Sequence, residues 1–342
     1  MAVVIVGDPG DLHVQRVREM VARYDVDAFL LHPYANEAAM TYECGPLAGP
    51  SITFRVASNV IDASAISAVW WRAKRIVPPV GMEKREREAD GFARSEWRMI
   101  LRSLSDCLAP NVRWVNGVAF QDRANSKLYQ LNLAAEVGLN IPRTVISNDP
   151  DSVLRLFHSG AEVIYKTLSG YVFPPDETIF TTRVAESDIE QDIAGVGRAP
   201  GIYQELIHKS YELRVTVVGE RVFPVKICSQ RDPETILDWR RSQLVDMYEM
   251  VVLPDDLQAS LLRFGRMAGL HFAVYDLVVD CSGDVWFLEC NPAGQWLWLE
   301  DRLHLPISAA LAGDLAAADV ELNRRTGVPL ATNTSRSAPR RP

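Results

Sequence analysis

The stretch from His271 to Gln295 constrains this chain most, because it sets acids into two otherwise apolar strands. Phe272, Val274, Asp276 and Val278 fall at alternate positions, which places them on one face of a strand. Cys281-Ser282-Gly283-Asp284 reads as a turn, and Val285-Trp286-Phe287-Leu288-Glu289-Cys290-Asn291 as the return strand. With those residues as the loop, Asp280 faces Val285, Asp276 faces Glu289, and Asn291 shares the face of Glu289. Facing acids repel, and burying either one unpaired costs several kcal/mol. A divalent cation resolves the conflict: Mg²⁺ prefers oxygen ligands and takes few carboxylates alongside phosphate oxygens and waters. Asp276, Glu289 and the Asn291 amide oxygen suit it. Pairing of either acid with a buried arginine is the bland alternative. A carboxylate dyad for glycoside hydrolysis is a third reading, with no other sequence feature behind it.

The 342 residues, 48% hydrophobic and 23% charged, are enough for two or three domains with real cores. That composition excludes a disordered, collagen-like or disulfide-stapled chain. The net charge of -8 argues against a broad nucleic-acid surface, although a few local cations still suffice for a single nucleotide. Cys44, Cys107, Cys228, Cys281 and Cys290 form no C-x-x-C pair, so they read as thiols of a reducing compartment, and no structural zinc is expected. No uncharged apolar run approaches the roughly 18 residues of a membrane span. The opening Met1-Ala2-Val3-Val4-Ile5-Val6 lacks a basic leader and reads as a buried strand. The expected location is the cytoplasm, with no membrane and no nucleic-acid partner.

Residues 3–6, 28–31, 52–56 and 68–71 read as strands, with a helix from Asp11, so the opening part is a small α/β layer structure. The mixed-sign run Glu83-Lys84-Arg85-Glu86-Arg87-Glu88 reads as a solvated loop or helix start. Helices are expected over 91–108, 127–137, 151–158 and 257–268. Segments 163–166 and 178–182 suggest a hairpin-based subdomain, and 213–218 with 221–227 a hairpin turning at Gly219-Glu220. The tail after Leu322 is expected to be disordered.

Lys166 ends an apolar strand, where a compact ammonium serves phosphate or simply snorkels to water. Lys127 follows Asn125-Ser126 at a helix start that favours anions, or it is a plain surface lysine. No Walker A sequence occurs, and Gly195-Val196-Gly197 is no dinucleotide fingerprint. Cys290 reads as a core thiol. Trp296 and Trp298 read either as a platform near the site or as packing.

In order along the chain come Lys127, Lys166, Gln204-Glu205-Leu206-Ile207, Glu212-Leu213-Arg214, Asp238-Trp239-Arg240, Asp276 and Phe287-Leu288-Glu289-Cys290-Asn291-Pro292. This set resembles the ATP-grasp superfamily of carboxylate–amine/thiol ligases over about 116–311. Trp70-Trp71-Arg72, Asp11-Leu12-His13, the Lys209 to Arg214 run and Asn291-Pro292-Ala293-Gly294-Gln295-Trp296 are similar to the graspetide (microviridin-type) synthetases, which macrocyclise ribosomal peptides. The resemblance implies an α/β (α+β) ATP-grasp fold: a pre-ATP-grasp domain over 1–115, an N-terminal and lid subdomain over 116–203, a catalytic antiparallel-sheet subdomain over 204–322, and a tail over 323–342.

By that resemblance ATP and Mg²⁺ are the cofactors. Lys127 and Lys166 would hold the phosphates, Glu205 and the Leu206 backbone the adenine, and Glu212 the ribose. Gln204, Ile207 and Lys209 join the nucleotide contacts. Asp276, Glu289 and Asn291 would ligate magnesium. Arg240 would reach the terminal phosphate or the substrate acid, with Arg214 and Asp238 beside it as catalytic candidates. The implied reaction activates an Asp or Glu side chain of a precursor peptide as an acyl phosphate. A Thr or Ser hydroxyl or a Lys amine then captures it. The expected partner is that peptide, leader and core, and a homodimer is left open. A RimK-like ligase adding amino acids and a non-catalytic ATP-binding regulator are the other readings. Thr167-Leu168-Ser169-Gly170 has fewer glycines than the phosphate-covering loop of many relatives, so Gly170 is not assigned to the site.

Overall fold

The computed structural model describes residues 2–33, 38–46, 49–72, 83–169, 172–173, 177–241 and 247–326. Gly170 lies outside them. The chain divides into two compact units, Met1–Lys74 with Glu96–Val115 and Leu311–Pro342, and Arg75–Ser95 with Asn116–Ala310.

The first unit is built on a parallel sheet ordered Asp27–Leu31, Ala2–Val6, Ile66–Trp71, Arg113–Val115. Ala2–Val6 and Ile66–Trp71 are buried throughout, as continuous apolar runs in a parallel sheet must be. Helix Leu12–Val21 is capped by Asp11, whose side chain accepts from the His13 N–H. Buried Arg72 donates from Nε to the same carboxylate at 3.2 Å. The Asp-x-His and Trp-Trp-Arg runs thus serve one local ion cluster. Strands Ala38–Glu43, Ser51–Val56 and Asn59–Asp62 form a separate antiparallel sheet.

The second unit holds two larger antiparallel sheets. One is ordered Thr182–Val184, Val163–Lys166, Gly201–Glu205, Thr144–Ser147. Its core is Val153, Leu156, Val163, Ile189 and Tyr203. The partner of Val163–Lys166 is therefore Thr182–Val184 rather than the expected segment 178–182. Residues 177–178 instead pair with 172–173 in a small separate hairpin.

The other sheet is ordered Tyr248–Met250, Arg221–Ile227, Lys209–Val218, Phe272–Asp280, Val285–Asn291. Alternation divides its two faces. Leu213, Val215, Tyr275, Leu277 and Val279 pack against helices Lys127–Glu136 and Asp255–Ala268 through Leu133, Leu261 and Phe264. Their neighbours Glu212, Arg214, Asp276 and Val278 face the opposite way.

The mixed-sign charge run opens helix Lys84–Cys107 rather than a loop. Helix Ile307–Thr326 continues past Leu322, into the segment expected to be disordered. Among the described residues no helix is long and apolar enough to cross a membrane.

Candidate active site

The acidic hairpin departs from the expected register in an instructive way. At the turn Val279 pairs with Val285, and the Asp280 N–H donates to the Asp284 carbonyl. Asp280 therefore faces Asp284, not Val285. Its carboxylate accepts from the turn N–H groups of Ser282 and Asp284 and from Trp286 Nε1. Leu277 pairs with Phe287, after which the register shifts and Asp276 pairs with Glu289. The extra residue, Leu288, forms a β-bulge. With strict alternation Glu289 would follow Phe287 into the core. The bulge reverses that parity, so Phe287 and Cys290 are buried at 0% and 1% exposure, while Leu288, Glu289 and Asn291 line a cavity.

That cavity has a volume of about 710 Å³. Lys127, Lys166, Gln204, Glu205, Leu206, Ile207, Lys209, Glu212, Asp238, Arg240, Asp276, Glu289 and Asn291 all line it. Arg214 does not. It lies behind Asp276, donating from Nη1 to both carboxylate oxygens at 2.8 and 2.9 Å and from Nη2 to the Gln295 carbonyl at 3.0 Å. The structure thus places Arg214 as a support for Asp276 rather than as a group facing a substrate.

The two acids are tied from several sides. Lys127 Nζ donates to Glu289 Oε2 at 2.6 Å. Asn291 Nδ2 lies 2.9 Å from Asp276 Oδ2 and 3.0 Å from Glu289 Oε1. The arginine alternative is therefore present at Asp276. Burial pushes the Asp276 carboxyl up to about 6, with Glu289 adding to the rise and Arg214 opposing it. Burial acts on Glu289 in the same sense. There the charge and hydrogen bond of Lys127 outweigh it, and the group is held well below the usual carboxylate range.

Three further pairs line the walls. Lys166, on Val163–Lys166, donates to Gln204 Oε1 at 2.8 Å. Burial lowers its ammonium to about 8, with nearby Lys127, Arg240 and Lys209 adding to the effect and Glu289 opposing it. Lys209 donates to Glu212 Oε1 at 2.8 Å and to the Leu237 carbonyl at 3.1 Å. Burial raises the Glu212 carboxyl against the pull of Lys209. Arg240 grips Asp238 through Nε and Nη2 at 2.8 and 2.7 Å. Two-point pairing of this kind fixes the guanidinium plane and leaves Nη1 outside the pair.

Other expectations change. The Leu206 N–H is already donated to the Glu162 carbonyl at 2.8 Å and the Glu205 N–H to the Arg143 carbonyl at 2.9 Å, so Leu206 has no free donor for a base. Trp296 is fully buried, donating to Ser308 Oγ and packing on Phe272. Trp298 stacks on Trp239 at 4.9 Å. Both are packing residues, not a substrate platform. Gly294 allows the chain after Asn291 to lie close against Val274, because a Cβ there would be 2.6 Å from it.

The sequence reading missed Gln130 and Asn116. Buried Asn116 donates to the carbonyls of Phe272 and Pro292 and accepts from the N–H groups of His271 and Phe272. Nothing in the local sequence marks either amide, since their partners are backbone groups far along the chain. Among the described residues no cluster of three or more His, Cys, Asp or Glu could hold a metal. The donor set is two carboxylates and one amide. Its all-oxygen chemistry fits Mg²⁺ once Lys127 swings off Glu289 and the Asn291 amide turns its oxygen inward.

No protein-family model matches the chain. A RiPP-associated ATP-grasp ligase from Chryseobacterium gregarium, solved with ADP and a leader and core peptide, superposes with a TM-score of 0.81 at 22% identity, covering 93% of this chain and 97% of that one. Macrocyclase MdnC from Microcystis aeruginosa MRC, bound with precursor peptide MdnA, superposes with a TM-score of 0.78 at 28% identity, covering 93% of this chain and 100% of that one. A probable alpha-L-glutamate ligase of Shewanella loihica is 27% identical over 176 residues, 50% of this chain and 56% of its own length. The chain thus spans about half the length of the curated relatives it matches. It has the fold of the ATP-grasp ligases and resembles, over nearly its whole length, the macrocyclases among them.

Proposed function

We propose that the chain is an ADP-forming ligase that activates an Asp or Glu side chain of a ribosomal precursor peptide and joins it to a Thr or Ser hydroxyl or a Lys amine. One observation carries this reading: four cations, Lys127, Lys166, Lys209 and Arg240, line the same cavity as Asp276, Glu289 and Asn291. That is a place for a polyphosphate and the metal that accompanies it. The likeness to ligases solved with ADP and precursor peptides supports the choice of substrate.

ATP and Mg²⁺ are the proposed cofactors. Lys127 and Lys166 hold the phosphates as point charges. Glu212 takes the ribose. The base lies against Glu205, Leu206 and Ile207, which line the cavity side by side. Bound magnesium, held by Asp276, Glu289 and the Asn291 oxygen, would neutralise charge on the transferring phosphoryl group. A carboxylate is a poor electrophile, so its oxygen first attacks the terminal phosphorus and ADP leaves. The hydroxyl or amine then attacks the acyl carbon, and phosphate leaves. Arg240, oriented by Asp238, faces the charge that builds on the phosphoryl oxygens. Cys290 takes no part: it is buried in the core, and burial raises its thiol.

The test is incubation with ATP, Mg²⁺ and a candidate precursor, read by mass. Loss of one water per crosslink, matched by ADP, is expected. A precursor unchanged in mass under conditions that form ADP contradicts the reading. The likeness to a probable alpha-L-glutamate ligase favours one other outcome, in which the acceptor gains an amino-acid residue in mass.

A further inference from the structure

Val285–Asn291 ends the strand order of its sheet among the described residues, so its outward backbone groups have no strand neighbour. Exposed edges of this kind must be covered or paired. At the turn end Asn140 does this, its carbonyl accepting from the Phe287 N–H at 2.8 Å and its Nδ2 donating to the Val285 carbonyl at 3.2 Å. Past the bulge a different residue takes over. Gln130 Oε1 accepts from the Cys290 N–H at 2.9 Å, and Gln130 Nε2 donates to the Cys290 carbonyl at 2.8 Å and the Ala124 carbonyl at 2.6 Å. Gln130 is 1% exposed. The amide meets the Cys290 peptide as a neighbouring strand would.

Cys290 is the residue between Glu289 and Asn291, and Gln130 sits one turn from Lys127 on helix Lys127–Glu136. The contact therefore joins the helix carrying Lys127 to the strand carrying two candidate metal ligands. It acts two residues past the bulge at Leu288, where Cys290 pairs with Tyr275 on one side and Gln130 covers its other edge. We propose that Gln130, which lies along the cavity wall but is 1% exposed with its amide committed to backbone groups, is a positioning residue that holds the Cys290 backbone so that Glu289 and Asn291 both point into the cavity. The metal part of this inference rests on the ligase reading above; the strand part does not.

Two measurements on the full chain separate them. In the absence of metal, hydrogen exchange is followed over 288–291 and over 272–280 in wild type and Gln130→Met. The expected result is faster exchange in the first segment with the second unchanged. Calorimetric ADP titrations across a series of Mg²⁺ concentrations then give the apparent Mg²⁺ constant. Outer-shell support of ligands is worth about ten- to a hundredfold in metal affinity, so Gln130→Met weakens Mg²⁺ by about that factor while ADP binding in EDTA is unchanged. In a Glu289→Gln background the same substitution adds nothing further. Wild-type exchange over 288–291 and a wild-type Mg²⁺ constant in Gln130→Met would overturn the proposal. If that variant does not fold, Gln130→Glu, which keeps an acceptor for the Cys290 N–H, decides by the same two readings. A wild-type protein whose ADP binding ignores Mg²⁺ refutes the ligase reading, and the exchange comparison still decides whether Gln130 holds the strand.

Discussion

Asp276 and Glu289 stand opposite each other on adjacent strands, and both accept from the amide of Asn291, at 2.9 and 3.0 Å. Each also has its own cation, Arg214 behind Asp276 and Lys127 beside Glu289. Without ligand, the pair is held by two positive charges and a shared amide. For a metal to enter, Lys127 is the partner that moves, because it lines the cavity and Arg214 does not.

That asymmetry predicts unequal stability costs. Removing Asp276 strands Arg214, which is 7% exposed, and breaking a buried pair costs about 3 kcal/mol. Removing Glu289 leaves Lys127, whose side chain is 23% exposed and can turn into cavity water, so the cost is about 1 kcal/mol. Thermal unfolding of Asp276→Ala and Glu289→Ala checks this: the first should melt several degrees below the second. Equal shifts contradict the assigned roles of the two cations.

Arg240 is gripped by Asp238 and aimed at the cavity. Arg240→Ala should lower the rate of substrate-dependent ADP formation about a hundredfold, as for loss of a group that stabilises developing charge, with ADP affinity unchanged. Comparable losses in turnover and in ADP binding would refute a role confined to phosphoryl transfer.

Lys166 predicts a pH dependence of nucleotide binding. Burial lowers its ammonium to about 8 in the free site. Bound phosphate stabilises the charged form, so the bound value is higher. Below pH 8 the lysine is charged in both states and contributes no slope. Above it, binding must take up a proton, and affinity falls by up to about tenfold per pH unit until the bound value is reached. Calorimetry in buffers of different ionisation heat reads the uptake directly. Lys166→Met should bind more weakly with no such slope, and a slope that survives in that variant assigns the titration to another group.

Local pattern carried much of the site. Alternation with an assumed four-residue turn put Asp276 opposite Glu289, and the apolar pattern found the helix bearing Lys127 and the strand bearing Lys166. The bulge at Leu288 could not be read, because a one-residue insertion leaves no mark on composition. The expected turn pairing erred by one residue, and the bulge cancels that error at Glu289. The arginine behind Asp276 was legible only as an alternative, since strand pairing of Arg214 with Asp276 depends on tertiary register. Trp296 and Trp298 carried no signal separating packing from a substrate platform. Buried amides such as Gln130 and Asn116 were invisible because their partners are backbone groups far along the chain.

The most direct test of the central claim, that Asp276 and Glu289 hold a metal beside a nucleotide, is ADP titration with and without Mg²⁺ in wild type and Glu289→Gln. Mg²⁺ should tighten ADP binding in wild type, and this tightening should be lost in the variant, with metal-free ADP binding retained. Full Mg²⁺ tightening in Glu289→Gln would contradict the claim.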